Sequence, residues 1–207
     1  MIQRIVIPTL AALFVLFGAS AAMAANESEA QSFIQELAQK AISTVAVRNL
    51  ADSDRNDHFR RLFVSAFDIP EIGKFALARH WRKLSPAQQT DFLKEFEDSQ
   101  VLAWSRRFKD YTEVRLETLG AIDEGEAVWL VDSQIIRPQG PPTPVQWRIH
   151  RSEDGNLRIT DIIFEKISMA LTYREDYVAV LQSNGGNIDG LLAAMRTKNN
   201  GANQAQR

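Results

Sequence analysis

Val145-Gln146-Trp147-Arg148-Ile149-His150, then Glu153-Asp154-Gly155-Asn156, then Leu157 to Phe164, is the stretch that decides the fold. Val145, Trp147 and Ile149 alternate with Gln146, Arg148 and His150, which is the period of a strand with one buried face. Gly and Asn accept positive φ cheaply, so residues 153–156 read as a hairpin, and Leu157 to Phe164 as the strand that returns. Upstream, Ala127 to Ile136 is rich in Val, Ile and Trp and predicts a more buried strand, separated from the first by the Pro/Gly loop Arg137 to Pro144. Val114 and Leu116 alternate with Glu113, Arg115 and Glu117, giving a strand that ends in a turn over Gly120 to Gly125. Connections this short suit an antiparallel meander, because a parallel sheet needs crossovers. Four antiparallel strands are expected.

Helical periods flank this sheet on both sides. Phe33, Leu37, Ala41 and Val45 recur every four residues within Asn26 to Val47. After the polar cluster Asn49 to Asp57, a second apolar face runs through Phe59, Leu62, Phe63, Ala66 and Phe67. Asp68-Ile69-Pro70 supplies a cap and a first-turn proline for a third helix carrying Ile72, Phe75 and Ala76. Ser85-Pro86-Ala87-Gln88 is a capping-box signal for a helix reaching about Lys109. Beyond the strands, Ser168 caps a helix through Gln182, which Asn184-Gly185-Gly186 ends. Ile188 to Met195 is a last short helix, and the polar tail at residues 198–207 is expected to be disordered. The fold class is therefore α+β: N-terminal helices, a four-stranded antiparallel sheet and C-terminal helices.

The first residues read as an address. Arg4 is followed by an apolar run from Ile5 to Ala19 and by Ala22-Met23-Ala24, the pattern of a secretory signal peptide over residues 1–24. The run falls short of the ~20 residues that span a bilayer, and Pro8 weakens it as a helix. Cleavage after Ala24 sends residues 25–197 out of the cytoplasm as a single domain, in a bacterium to the periplasm. No later stretch is long and apolar enough to span.

Composition removes several function classes. The 207 residues hold 24 Lys and Arg against 26 Asp and Glu, so nucleic acid is not an expected partner. The absence of Cys rules out thiolate metal sites, a Cys nucleophile and disulfide staples. His58, His80 and His150 lie far apart, no Gly-x-Ser-x-Gly elbow exists, and no glycine-rich phosphate loop is present. Glu95, Glu97 and Asp98 read as a solvated acidic helix face rather than a catalytic cluster. No metal and no cofactor is expected. What remains is apolar: four Trp and, beyond the leader, nine Phe, which either fill a core or line a pocket for an apolar ligand between sheet and helices.

Two blocks carry a family likeness. The first runs from Phe67-Asp68-Ile69-Pro70 through Phe75-Ala76-Leu77-Ala78-Arg79-His80-Trp81-Arg82 and Leu84-Ser85-Pro86-Ala87-Gln88-Gln89 to Phe92-Leu93-Lys94-Glu95-Phe96. The second comprises Asp161-Ile162-Ile163-Phe164-Glu165, Ile167-Ser168, Leu171, Tyr173-Arg174 and Gly185-Gly186-Asn187-Ile188-Asp189-Gly190-Leu191-Leu192. In this order they resemble the MlaC family of periplasmic phospholipid-binding proteins, also called the toluene-tolerance family. Two departures stand out: Ala78-Arg79-His80-Trp81 replaces the family's usual Gly-Arg-Tyr-Trp, and Lys166-Ile167-Ser168 replaces its Gly-Val-Ser turn.

The resemblance implies a carrier, not an enzyme. It would shelter phospholipid acyl chains in an apolar pocket and move lipid between an outer-membrane lipoprotein complex and an inner-membrane ABC transporter, maintaining outer-membrane lipid asymmetry. A hopanoid or another apolar lipid is an alternative cargo, and an enzyme on a similar α+β pocket or a protein-binding adaptor are alternatives of other classes. Val114, Leu116, Trp129, Val131, Trp147 and Ile149 share inward strand faces, and Phe75 and Leu102 can close a pocket from the helices. All eight are candidate lipid contacts, and core packing explains the same pattern. Tyr173 and Arg174 are candidates for the pocket mouth, with a structural hydrogen bond or salt bridge as the competing role.

Overall fold

A computed structural model describes residues 15–111 and 113–204, with side chains described over 26–108 and 113–204. Residues 1–14 of the expected leader, and residues 205–207 of the expected tail, lie outside the described residues. Helix α1 (Val15–Thr44) is followed by α2 (Asp52–Ala66), α3 (Ile69–Leu77), a 3-10 segment (Ala78–Lys83), α4 (Pro86–Trp104) and a second 3-10 segment (Ser105–Tyr111). Strands β1 (Arg115–Gly125), β2 (Val128–Ile136), β3 (Thr143–Arg151), β4 (Leu157–Phe164) and β5 (Ile167–Ser168) come next, then α5 (Met169–Ser183) and α6 (Ile188–Gln204). The five strands pair in chain order, every neighbour antiparallel. No described helix is long and apolar enough to cross a membrane.

The caps are where local chemistry places them. Asp68 Oδ1 accepts from the Glu71 backbone N–H at 3.0 Å. At the start of α4, Ser85 Oγ accepts from Gln88 N at 3.2 Å while Gln88 Oε1 accepts from Ser85 N at 3.1 Å. Ser168 Oγ accepts from Leu171 N at 3.1 Å. Each satisfies backbone donors that a helix start leaves free. Between α1 and α2 the buried Arg55 guanidinium donates to the carbonyls of Val45, Val47 and Leu50, closing a turn that has no regular structure of its own.

Several expectations need correction. The sheet has five strands, not four: Glu165 and Lys166 turn with φ of 49° and 70°, so Ile167 and Ser168 fold back on Phe164 and Ile163. That turn lacks the Gly or Asn that normally announces such a conformation. Strand β1 does not turn at Gly120 but continues to Gly125. Register shifts between Thr118 and Gly120 and between Asp123 and Gly125 break its alternation and hid it from a period-two reading. Helix α4 ends at Trp104 instead of Lys109. There the chain tightens into a 3-10 segment that buries Ser105 and lets its Oγ donate to Asn56 Oδ1 of α2 at 2.5 Å.

The tail, too, is ordered further than expected. Helix α6 runs through Gln204 because it packs on α4 through polar groups: Asn199 is buried, its Nδ2 donating to Glu95 O and Oε2 at 3.1 and 2.9 Å. Glu95 is consequently buried rather than solvated. Glu97 and Asp98 hold Arg60 of α2, so the three acids join helices together.

Two packed clusters result. Helices α2 to α6 and the end of α1 form one, around Phe59, Phe63, Leu77, Phe92, Phe96, Leu181 and Leu191. The other lies between α1 and the inner face of the sheet, around Ala30, Ile34, Trp129, Val131, Ile149, Leu157 and Ile159. The α2–α3 junction is pinned to β4, where Asp68 N donates to Ile159 O at 2.9 Å. His150, expected on the polar strand face, is half-buried and its Nε2 meets Asp68 Oδ2 at 2.8 Å, tying β3 to the same junction.

Candidate functional site: an apolar cavity between two cores

Where the two clusters meet, packing is incomplete. A cavity of about 450 Å³ opens there, walled by residues from both sides. Helix α1 contributes Ile34, Leu37, Ala38, Ala41 and Ile42, which recur at helical spacing on its inner stripe. Phe59, Leu62, Phe63 and Phe67 come from α2 and its end, and Ile72 and Phe96 from α3 and α4. The sheet supplies Leu116, Ile135, Val145, Trp147, Ile162 and Phe164, and the start of α5 supplies Met169 and Ala170.

Trp147 shows how the wall is kept apolar. Its Nε1 donates to Ser133 Oγ at 2.9 Å, and that hydroxyl donates to Val145 O at 2.8 Å. With its one polar atom satisfied inside the sheet, the indole presents hydrocarbon to the cavity. Polar groups on the wall are few. Gln100 Oε1 accepts from Tyr173 Oη at 2.6 Å and from Trp104 Nε1 at 3.3 Å. Burial pushes the Tyr173 phenol above its ordinary range, so it stays a neutral donor. Asp161 accepts from Ser168 Oγ at 2.6 Å and Ala170 N at 2.9 Å, which leaves it tied to the start of α5. Arg107 stands on the wall with its guanidinium 4.6 Å from the Trp104 ring centroid.

The structure divides the sequence-derived candidates. Val114, Leu116, Trp147 and Tyr173 stand on the cavity wall. Trp129, Val131 and Ile149 share the sheet face with Trp147 but pack solidly against α1 at 3%, 0% and 0% exposure, away from the cavity. Leu102 is buried elsewhere. Phe75 is 38% exposed and lies under the Arg174 guanidinium, 5.2 Å from ring centroid to carbon, so these two meet on the outer surface between α3 and α5. Sequence reasoning missed the whole α1 stripe as cavity wall, although its spacing was legible, because a stripe does not say whether its opposite is filled or empty.

The arrangement is suited to holding hydrocarbon. Each methylene moved out of water gains about 0.8 kcal/mol, and the walls offer almost nothing that would compete as a hydrogen-bond partner. It is poorly suited to proton transfer, because Asp161 and Tyr173 are committed to neighbours. Among the described residues no cluster of three or more His, Asp or Glu could hold a metal ion.

Comparison with known proteins bears on the fold and the family. A solved structure of a phospholipid-binding protein from Ralstonia solanacearum, in complex with a phospholipid, superposes with a TM-score of 0.75 at 16% identity, covering 83% of this chain and 97% of that one. At that identity the likeness is one of fold. The sequence model of the MlaC protein family matches residues 32–197, which take in every element from the middle of α1 to the middle of α6. This chain belongs to the MlaC family.

Proposed function

We propose that this protein is a periplasmic phospholipid carrier. Its acyl-chain site is the cavity between the α1–sheet core and the helical core, and residues 25–197 form one lipid-binding domain. The observation that carries the reading is an apolar cavity of about 450 Å³ in a chain whose two flanking cores are otherwise closely packed. Empty apolar space in a protein interior is costly, at about 24 cal/mol per Å³ in mutational series, and a hydrocarbon occupant removes that cost. Membership of the MlaC family and the lipid-bound Ralstonia neighbour support the same cargo. Two long acyl chains cannot cross an aqueous compartment unshielded. The carrier therefore serves lipid exchange between an outer-membrane lipoprotein complex and an inner-membrane ABC transporter, and any ATP is used by that transporter. Catalysis has no place in this scheme.

Native mass spectrometry of the protein released from a bacterial periplasm tests the proposal. A mature chain beginning at Ala25 and carrying phospholipid is the expected species. A chain that keeps Met1 in the cytoplasm, or that leaves the periplasm empty and takes no lipid from vesicles, overturns it.

A further inference from the structure

The cavity has one polar corner. Gln100 and Trp104 from the end of α4, Tyr173 from α5 and Arg107 from the 3-10 segment after α4 gather there, and Trp104 and Tyr173 both donate to Gln100 Oε1. Among the described residues Arg107 is the one basic side chain on the wall, and it is exposed, so its charge faces solvent while its plane rests on the Trp104 indole. Among the described residues no carboxylate stands within ion-pair distance of it, whereas Arg60, Arg148, Arg151 and Arg196 each hold one. The acid on the same wall, Asp161, has Ser168 Oγ, Ala170 N and, at 3.7 Å, Arg148 Nη1 as its partners. An apolar cavity with a guanidinium preoriented on the Trp104 ring at its rim, and no carboxylate beside it among the described residues, is complementary to an amphiphile with an anionic junction between chains and headgroup. A guanidinium fork matches the oxygens of a phosphodiester better than any other side chain.

We propose that Arg107 is the phosphate contact of this site. Its guanidinium pairs with the phosphodiester of a glycerophospholipid whose acyl chains occupy the cavity, and this sets a preference for phospholipid over uncharged diacylglycerol. The proposal rests on the carrier reading above.

The test uses lipid-stripped protein and vesicles of dioleoylphosphatidylglycerol doped with dioleoylglycerol, two lipids with the same chains. Bound lipid is extracted and the ratio of the two compared with their ratio in the vesicle. Wild-type protein should favour phosphatidylglycerol by about tenfold, the scale of one charge-assisted contact at a rim. Arg107→Gln should bring the ratio close to that of the vesicle while diacylglycerol uptake is unchanged, and Arg107→Lys should keep part of the preference. If Arg107→Gln retains the wild-type ratio, the phosphate contact is elsewhere and the carrier reading survives. Equal uptake of both lipids by the wild-type protein overturns the contact as well. Uptake of neither lipid overturns the carrier reading itself.

Discussion

Val131 and Ala38 face the same interlayer space, one in its packed part and one on the cavity wall, and a tryptophan at each should have opposite effects. Val131 has 0% exposure and sits among Ile34, Trp129, Ile149 and Ile159. An added ring has nowhere to go, and overpacking costs typically about 1–3 kcal/mol. For a domain of this size each kcal/mol moves Tm by about 2–4 °C, so a mid-range loss lowers Tm by roughly 4–8 °C. Ala38 borders the 450 Å³ cavity from α1. A Trp there fills roughly a third of that space at interior packing density and should leave the stripped protein within about 1 kcal/mol of wild type. Thermal denaturation of lipid-stripped protein reads the first quantity, and phosphate analysis of extracted lipid per folded molecule reads the second. Val131→Trp should melt early with a full complement of lipid per folded molecule, and Ala38→Trp should fold normally and carry little. A stable but lipid-poor Val131→Trp, or a fully loaded Ala38→Trp, would refute the placement of the site.

Stripping lipid from the wild-type protein should lower its Tm and adding phospholipid should restore it, since a ligand at 100 times its Kd stabilises by about 2.7 kcal/mol; superimposable melting curves would contradict a loaded interior. Ala78, at φ 50° and ψ −127°, occupies a conformation that suits glycine. Ala78→Gly should relieve ~1–2 kcal/mol of strain against an unfolded-chain cost of ~0.5–1 kcal/mol, a net gain readable in urea denaturation. The Asp98 carboxyl is desolvated, which works against ionisation, but Lys94 and Arg60 hydrogen bonds outweigh this and hold it below its ordinary range. Its stabilising contribution is therefore present at neutral pH and is lost as pH falls through its lowered folded value. Asp98→Asn should cost under ~1 kcal/mol at pH 7, and its gap from wild type should close below about pH 4.

The sequence by itself determined what depends on neighbours along the chain. The alternation through Trp147 and Ile149 fixed a strand and its buried face, and Asp68, Ser85 and Ser168 marked helix starts because their side chains bond donors only three residues ahead. Ala78 and Lys166, the two departures read from the sequence, both take positive φ, so even those departures had local meaning. Tertiary structure decided what depends on residues far away. Leu116 and Trp147 border empty space while Trp129, Val131 and Ile149 on the same sheet face lie in the packed cluster with Ala30 and Ile34 of α1, a difference set by which residues of the facing layer stand opposite each. Asn199 is held in a helix by Glu95, 104 residues away in sequence, so a polar tail became packed structure. Arg107 lies at the polar rim because a helix ended at Trp104 and the chain tightened there. Hydrophobic patterning records which side chains leave water, and a filled core and a cavity wall leave it equally. The difference between them is the distance between two layers, which no local period encodes.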